Sequence, residues 1–241
     1  MSKALVKSVF TVSLLLMLMA VPVYGASVNK SIKINAGSES DGATTVNGSI
    51  SVGEGAVVSG TLRTVNGKIR IKDDATIEDA ETVNGSLIIG DSVSAGDLTT
   101  VNGSVSLGED TSISGGAEAV NGRIILEQGS KVQRDVSNVN GDMEFSGSEV
   151  SGNVTTVNGD IDLSDGAVVK GDVIVEKPSS WGWGNNSSKM PKVVVGPGSV
   201  VDGTIRLERE VELYLSETAK IGGVTGVMSM SDAVRFSGDR P

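Results

Sequence analysis

The chain contains no cysteine and no histidine. The first absence excludes disulfides, thiolate metal sites and a lipid-modified lipoprotein N-terminus. The second excludes Ser-His-Asp triads and His-ligated zinc. Aromatic residues amount to only 3% of the chain. A globular core of this size ordinarily uses more large rings, whereas a narrow core lined by aliphatic side chains does not. Basic residues are the minority, 20 against 30 acidic, for a net charge of −10. Nucleic acid and anionic lipid both need a positive surface, so neither is expected as a partner.

Long apolar runs are scarce too, with one exception at the start. Lys3 and Lys7 form a short basic region, residues 9–20 are almost unbroken apolar sequence, and Val21-Pro22-Val23-Tyr24-Gly25 follows. Small residues at −3 and −1 suit cleavage after Gly25, so residues 1–25 read as a secretory signal peptide. An uncleaved anchor is the alternative, although the run is short for a membrane span. Removing the leader takes away Lys3 and Lys7 and moves the net charge from −10 to −12. The expected location is periplasmic or secreted, with no transmembrane segment after cleavage.

What is abundant is repetition. Val-Asn-Gly occurs seven times, with asparagines at Asn47, Asn66, Asn84, Asn102, Asn121, Asn140 and Asn158, spaced 18 or 19 residues apart. So short and steady a period marks a solenoid in which each repeat is one coil. Within a coil, apolar residues alternate with polar ones in short bursts, such as Ile50/Val52 and Ala56/Val58, separated by glycine-bearing turns. Period-two alternation predicts short strands with one buried face.

Four ladders follow from stacking. They run through Ile50, Ile69 and Leu87; through Val52, Ile71 and Ile89; through Val58, Ile77 and Ala95; and through Leu62, Ala80 and Leu98. The fold class is therefore all-β, a single-stranded parallel β-helix over residues 26–224. Counting a degenerate first coil at Asn29 and a looser last one through Leu213 gives about ten coils, or roughly 50 Å at about 4.8 Å each. Val175 falls where an eighth Val-Asn-Gly is due, and the pattern resumes at Lys192, which makes residues 178–191 an insertion at that corner. Residues 225–241 read as a C-terminal cap or tail, with Phe236 large enough to plug the open core.

Two roles are open for the Asn-Gly rows. Both residues tolerate positive φ and would turn a tight corner, and stacked asparagine amides hydrogen-bond along a ladder. Alternatively, Thr45, Thr64, Thr82, Thr100 and Thr156, each preceding the valine, form an outward water-ordering array, interrupted at Ala119 and Asn138.

The coil pattern resembles two groups. Val193-Val-Val-Gly-Pro-Gly-Ser-Val-Val-Asp-Gly-Thr-Ile205 looks most like the bactofilins, polymer-forming bacterial β-helices, and the Thr-Val-Asn-Gly coils resemble secreted adhesin-like β-solenoids. The resemblance implies a right-handed helix and, for bactofilins, end-to-end polymerisation in the cytoplasm; the leader and the insertion depart from that. Hexapeptide spacing through Ile71, Ile77, Val83 and Ile89 also resembles left-handed β-helix acyltransferases, which use a catalytic histidine that this chain lacks.

Two sets of residues are candidate sites. Asp142 and Glu144 lie one coil below Asp160 and Asp162 and point outward from the same face, about 5 Å apart. A solvated acidic face is the ordinary reading; a calcium site or a catalytic acid–nucleophile pair are the alternatives. No arginine is expected near them. Trp181 and Trp183, the only tryptophans, lie in the insertion and suit sugar stacking or a protein pocket.

The sequence thus points to a non-enzymatic, exported structural or interaction β-solenoid of the bacterial cell envelope, with an envelope protein or glycan as partner. An adhesin-like module using Trp181/Trp183 and an enzyme acting on acidic polysaccharide are the alternatives. No cofactor is expected beyond that calcium. Lys30 and Lys33 in the first coil and the tail at the other end favour a monomer or small oligomer over an end-to-end polymer.

Overall fold

The structure, a computed structural model, describes residues 28–178 and 190–241. The leader and both tryptophans lie outside the described residues. The chain winds as a β-solenoid of about ten turns, and all three of its sheets are parallel. Sheet I has eleven strands, from Ile32–Ile34 to Val234–Phe236; sheet II has ten, from Glu39–Ser40 to Lys220–Ile221; sheet III has ten, from Ala43–Asn47 to Val224–Gly226. Successive strands of one sheet are one coil apart in sequence. Each level of sheet I is numbered below as a rung, Ile32–Ile34 being rung 1.

Strands of two to five residues have no stability alone. Register supplies it. Ile50 pairs with Ile69, Leu87 with Val105 and Val105 with Ile124, so like stacks on like along the rod. All four aliphatic ladders are buried, and they merge into one continuous core. Each such side chain contributes roughly 1.5–3 kcal/mol, realised only when its neighbouring coils are in place.

The threonines are the first correction. Thr45, Thr64, Thr82, Thr100 and Thr156 point inward and are buried, so they form no outward array. Sheet III keeps them inside because a hydroxyl satisfies a carbonyl that the corner leaves over. Thr64 donates to the Gly48 carbonyl at 2.8 Å, Thr82 to Gly67 at 3.0 Å and Thr100 to Gly85 at 2.8 Å. Asn138 takes over this duty toward Gly122 in its own coil, but its buried Oδ1 has no partner among the described residues.

The asparagine–glycine corner also differs from expectation. No asparagine of the repeat has positive φ, and of its glycines only Gly141 does (φ 133°). Glycine is required there for close approach instead. A methyl built on Gly67, Gly85, Gly103 or Gly122 overlaps the carbonyl oxygen of the glycine one rung below. The left-handed turn lies eight residues after the asparagine, at Gly55, Asp74, Ser92 and Asp110, between sheets I and II.

Beyond rung 8 the insertion interrupts the sequence but not the stack. Val193 and Val195 pair with Ile161 and Leu163 across it, as the resumed pattern predicts. Val175 pairs with Thr156, an inward slot, which is one residue away from the expected valine position. The end of the chain returns to the repeat as well: Val234–Phe236 adds an eleventh strand to sheet I. Met228 and Ala233 pack against the core, while Phe236 is buried outside the main cluster.

Candidate functional site

The asparagines form a continuous rail. Each Nδ2 donates to the Oδ1 of the asparagine below: Asn47 to Asn29, Asn66 to Asn47, Asn84 to Asn66, and so on up to Asn158 to Asn140, at 2.7–2.9 Å. The intermediate steps, through Asn102, Asn121 and Asn140, have the same geometry. Arg209 closes the upper end, donating to Asn158 Oδ1 at 3.0 Å and to the Val157 carbonyl at 3.2 Å. A guanidinium only donates, so it sets the orientation of the last amide and, through it, of every amide below. Aligned amides polarise one another. The rail is a structural element along an exposed corner.

The candidate site lies on the outward face of sheet I, around rungs 7 and 8. The strands Met143–Ser146 and Ile161–Ser164 bury Met143, Phe145, Ile161 and Leu163 inward, so the alternate residues face out. Register then places Glu144 beside Asp162, and Asp142 and Asp160 occupy the preceding outward position. These four line a groove of about 380 Å³ together with Glu127, Asp165, Lys192 and Arg240. The sequence-expected carboxylates are thus brought together on adjoining rungs.

Their chemistry is largely occupied by the rod itself. Asp142 Oδ1 accepts the Asp160 N–H at 3.3 Å, and Asp160 Oδ1 accepts the Lys192 N–H at 2.9 Å. Arg123 reaches Glu144 at 3.4 Å and Asp142 at 3.9 Å. The Ser146 hydroxyl donates to Asp165 at 2.6 Å. Among the described residues, no group of three or more acidic side chains is placed to hold a metal ion.

Arginine is therefore present where none was expected. Arg123 stands two residues after Asn121, the same offset that places Asp142 after Asn140 and Asp160 after Asn158, so its position was legible in the register. Lys192 takes that offset on rung 9, and its ammonium sits 4.9 Å from the centre of the Tyr214 ring, within cation–π range. Arg240 arrives from the C-terminal tail, and no periodic signal announces it. The insertion departs after strand Val173–Val175 and rejoins at Lys192, beside the groove; Trp181 and Trp183 within it lie outside the described residues.

No helix among the described residues is long and apolar enough to cross a membrane. The chain matches no family model, no curated protein and no solved structure.

Proposed function

We propose that the chain is an exported, non-enzymatic β-solenoid of the bacterial cell envelope, acting as a structural and interaction rod. The observation that carries this reading is the unbroken asparagine rail from Asn29 to Asn158, closed by Arg209, along a core of uninterrupted ladders. Such construction favours a stiff element that presents long outward rows. The groove carboxylates fit the same reading, because backbone N–H groups and Arg123 engage them instead of a reactive centre. Export rests on the leader features at residues 1–25.

The test is expression of the full chain in a bacterial host, followed by fractionation and N-terminal sequencing. Protein outside the cytoplasm that begins at Ala26 and sediments with envelope material supports the reading. Full-length chain confined to the cytoplasm overturns it.

One observation favours a second reading, an adhesin-like module that binds glycan or envelope material through Trp181 and Trp183: the insertion carrying them rejoins the rod at Lys192, which lines the groove. Replacing residues 178–191 by a short Asn-Gly turn should then abolish retention on envelope material while circular dichroism keeps its β signature. Release of product from an acidic polysaccharide by the purified chain would favour the enzyme alternative over both.

A further inference from the structure

The outward face of sheet I is not uniform, and its variation is complementary about rung 5. Rung 3 presents Lys68 and Arg70, both exposed; rung 7 presents Asp142 and Glu144 at the same two positions. Rung 4 presents Ile88 and rung 6 presents Ile125, half-buried aliphatic side chains on an otherwise polar face. Rung 5, midway, presents Ser104 and Ser106. Rung 2 carries Ser49 and Ser51, and its mirror, rung 8, carries Asp160 and Asp162.

We propose that two copies of this chain pair side by side and antiparallel through this face, about a twofold axis along the strand direction at Ser104–Ser106. Such an axis puts rung n of one copy over rung 10 minus n of the other and keeps each outward row over itself. Lys68 then meets Asp142, Arg70 meets Glu144, and Ile88 meets Ile125, each contact occurring twice, as an isologous interface requires. On rung 2 the Ser49 and Ser51 hydroxyls meet Asp160 and Asp162. At the margin, Lys33 meets the aliphatic Val194 and Ser31 meets Lys192, so no like charges face each other.

Charge complementarity selects this partner and this direction. Among the described residues, six carboxylates line the groove, and Arg123, Lys192 and Arg240 stand against them, so its described side chains sum to −3. No ion pair joins Lys68, Arg70 or Lys72 to a described carboxylate. The two patches are four rungs apart, about 19 Å, on one straight face. A parallel pair would set each patch against its own copy and be repelled. The contact is three residues wide and nine rungs long, roughly 1,000 Å² in total, the lower end for a specific interface; the pair should be micromolar and salt-sensitive.

The inference takes sheet I as an interaction surface, and so rests on the proposed function while naming the partner. The test is sedimentation equilibrium of residues 26–241 at about 100 μM, in about 50 mM and 500 mM salt. A dimer at low salt that dissociates at least tenfold more readily at high salt is expected. The variants Lys68→Glu/Arg70→Glu and Asp142→Lys/Glu144→Lys should each be monomeric, and their equimolar mixture should dimerise, since each supplies the charge the other needs.

If the second variant loses its β signature, the single pair Arg70→Glu and Glu144→Lys poses the same question without disturbing Asp142. A wild type that stays monomeric, or forms filaments indifferent to these substitutions, overturns the pairing. A monomer that still binds envelope material would overturn the pairing alone and leave the proposed function standing.

Discussion

Replacing Gly103 by alanine separates two explanations of the Asn-Gly corner. If glycine were there for a left-handed turn, the structure would show positive φ, and it does not. At an ordinary φ, alanine should then stabilise by about 0.4–1 kcal/mol through the unfolded chain. The built methyl instead overlaps the Gly85 carbonyl on the rung below. Relief requires rungs 4 and 5 to part at the corner. Five bonds cross there: Gly85 N–H to Asn102 O at 3.0 Å, Leu87 N–H to Ser104 O at 2.9 Å, Ser104 N–H to Ser86 Oγ at 3.2 Å, Asn102 Nδ2 to Asn84 Oδ1 at 2.8 Å and the Thr100 hydroxyl to Gly85 O at 2.8 Å.

Losing three or four of these at about 1 kcal/mol each, less the gain through the unfolded chain, gives a net loss of about 2–3.5 kcal/mol. For a chain of this size that is about 5–10 °C in Tm. Gly55 is the control: its φ is +61°, its methyl would meet nothing within 4 Å, and Asp74, Ser92 and Asp110 occupy its slot in other coils. Gly55→Ala should cost about 1 kcal/mol. Thermal unfolding followed by circular dichroism should rank Gly103→Ala well below Gly55→Ala. The reverse order, or a Gly103→Ala protein as stable as the wild type, refutes close approach as the reason for the motif.

Asn138→Thr should stabilise by about 1 kcal/mol, raising Tm by about 2–4 °C, because it restores the hydroxyl-to-carbonyl bond of its row and removes an unpartnered buried Oδ1. Arg209→Ala should cost about 1–2 kcal/mol and speed amide exchange at Asn158 more than at Asn84, since it opens one end of the rail. Millimolar calcium should shift Tm no more than sodium chloride of equal ionic strength; a specific rise, absent from Asp160→Asn/Asp162→Asn, would contradict the geometry of the groove. The Asp232 carboxyl is held below its usual 3.8 by the Ser229 N–H and then the Ser229 hydroxyl. A lowered acid stabilises above its unfolded value and stops doing so as pH falls through the folded one, so the Ser229–Asp232 turn should fray only below about pH 4, read by carboxyl NMR titration.

Stacking explains how much of the fold was legible. A residue that must sit on its own copy one coil away repeats in the sequence, so the period, the four aliphatic ladders and the resumption at Val193 could be read directly. The errors came from reading polarity as exposure. Thr82 is polar, yet it lies inside because its hydroxyl has a carbonyl to satisfy and its methyl is core. Gly67 looked like a turn residue because composition cannot distinguish a required φ from a forbidden Cβ. Val175 was misplaced by one because coils of 18 and 19 residues leave the slot ambiguous just where the motif stops. Of the site residues, Arg123 is legible from its offset of two after Asn121. Arg209 holds the asparagine slot two coils above Asn158, where the motif itself is gone, and Arg240 comes from outside the regular repeats, so neither contact is announced by the period.

Inward rows are dictated by the core, so their monotony says little about function. Outward rows carry no such demand, and stacking alone disfavours like charges on adjoining rungs, as at Glu144 and Asp162. Arg123 relieves part of that repulsion from below, and the groove keeps the rest. A chain free to place serine there, as it does at Ser49 and Ser104, instead collects acid on rungs 7 and 8 and base on rung 3. That departure from the repeat sets like charges on adjoining rungs, and in the proposed pairing Lys68 and Arg70 of the second copy would meet the acid. On the proposed function, recognition falls to the outward rows of sheet I.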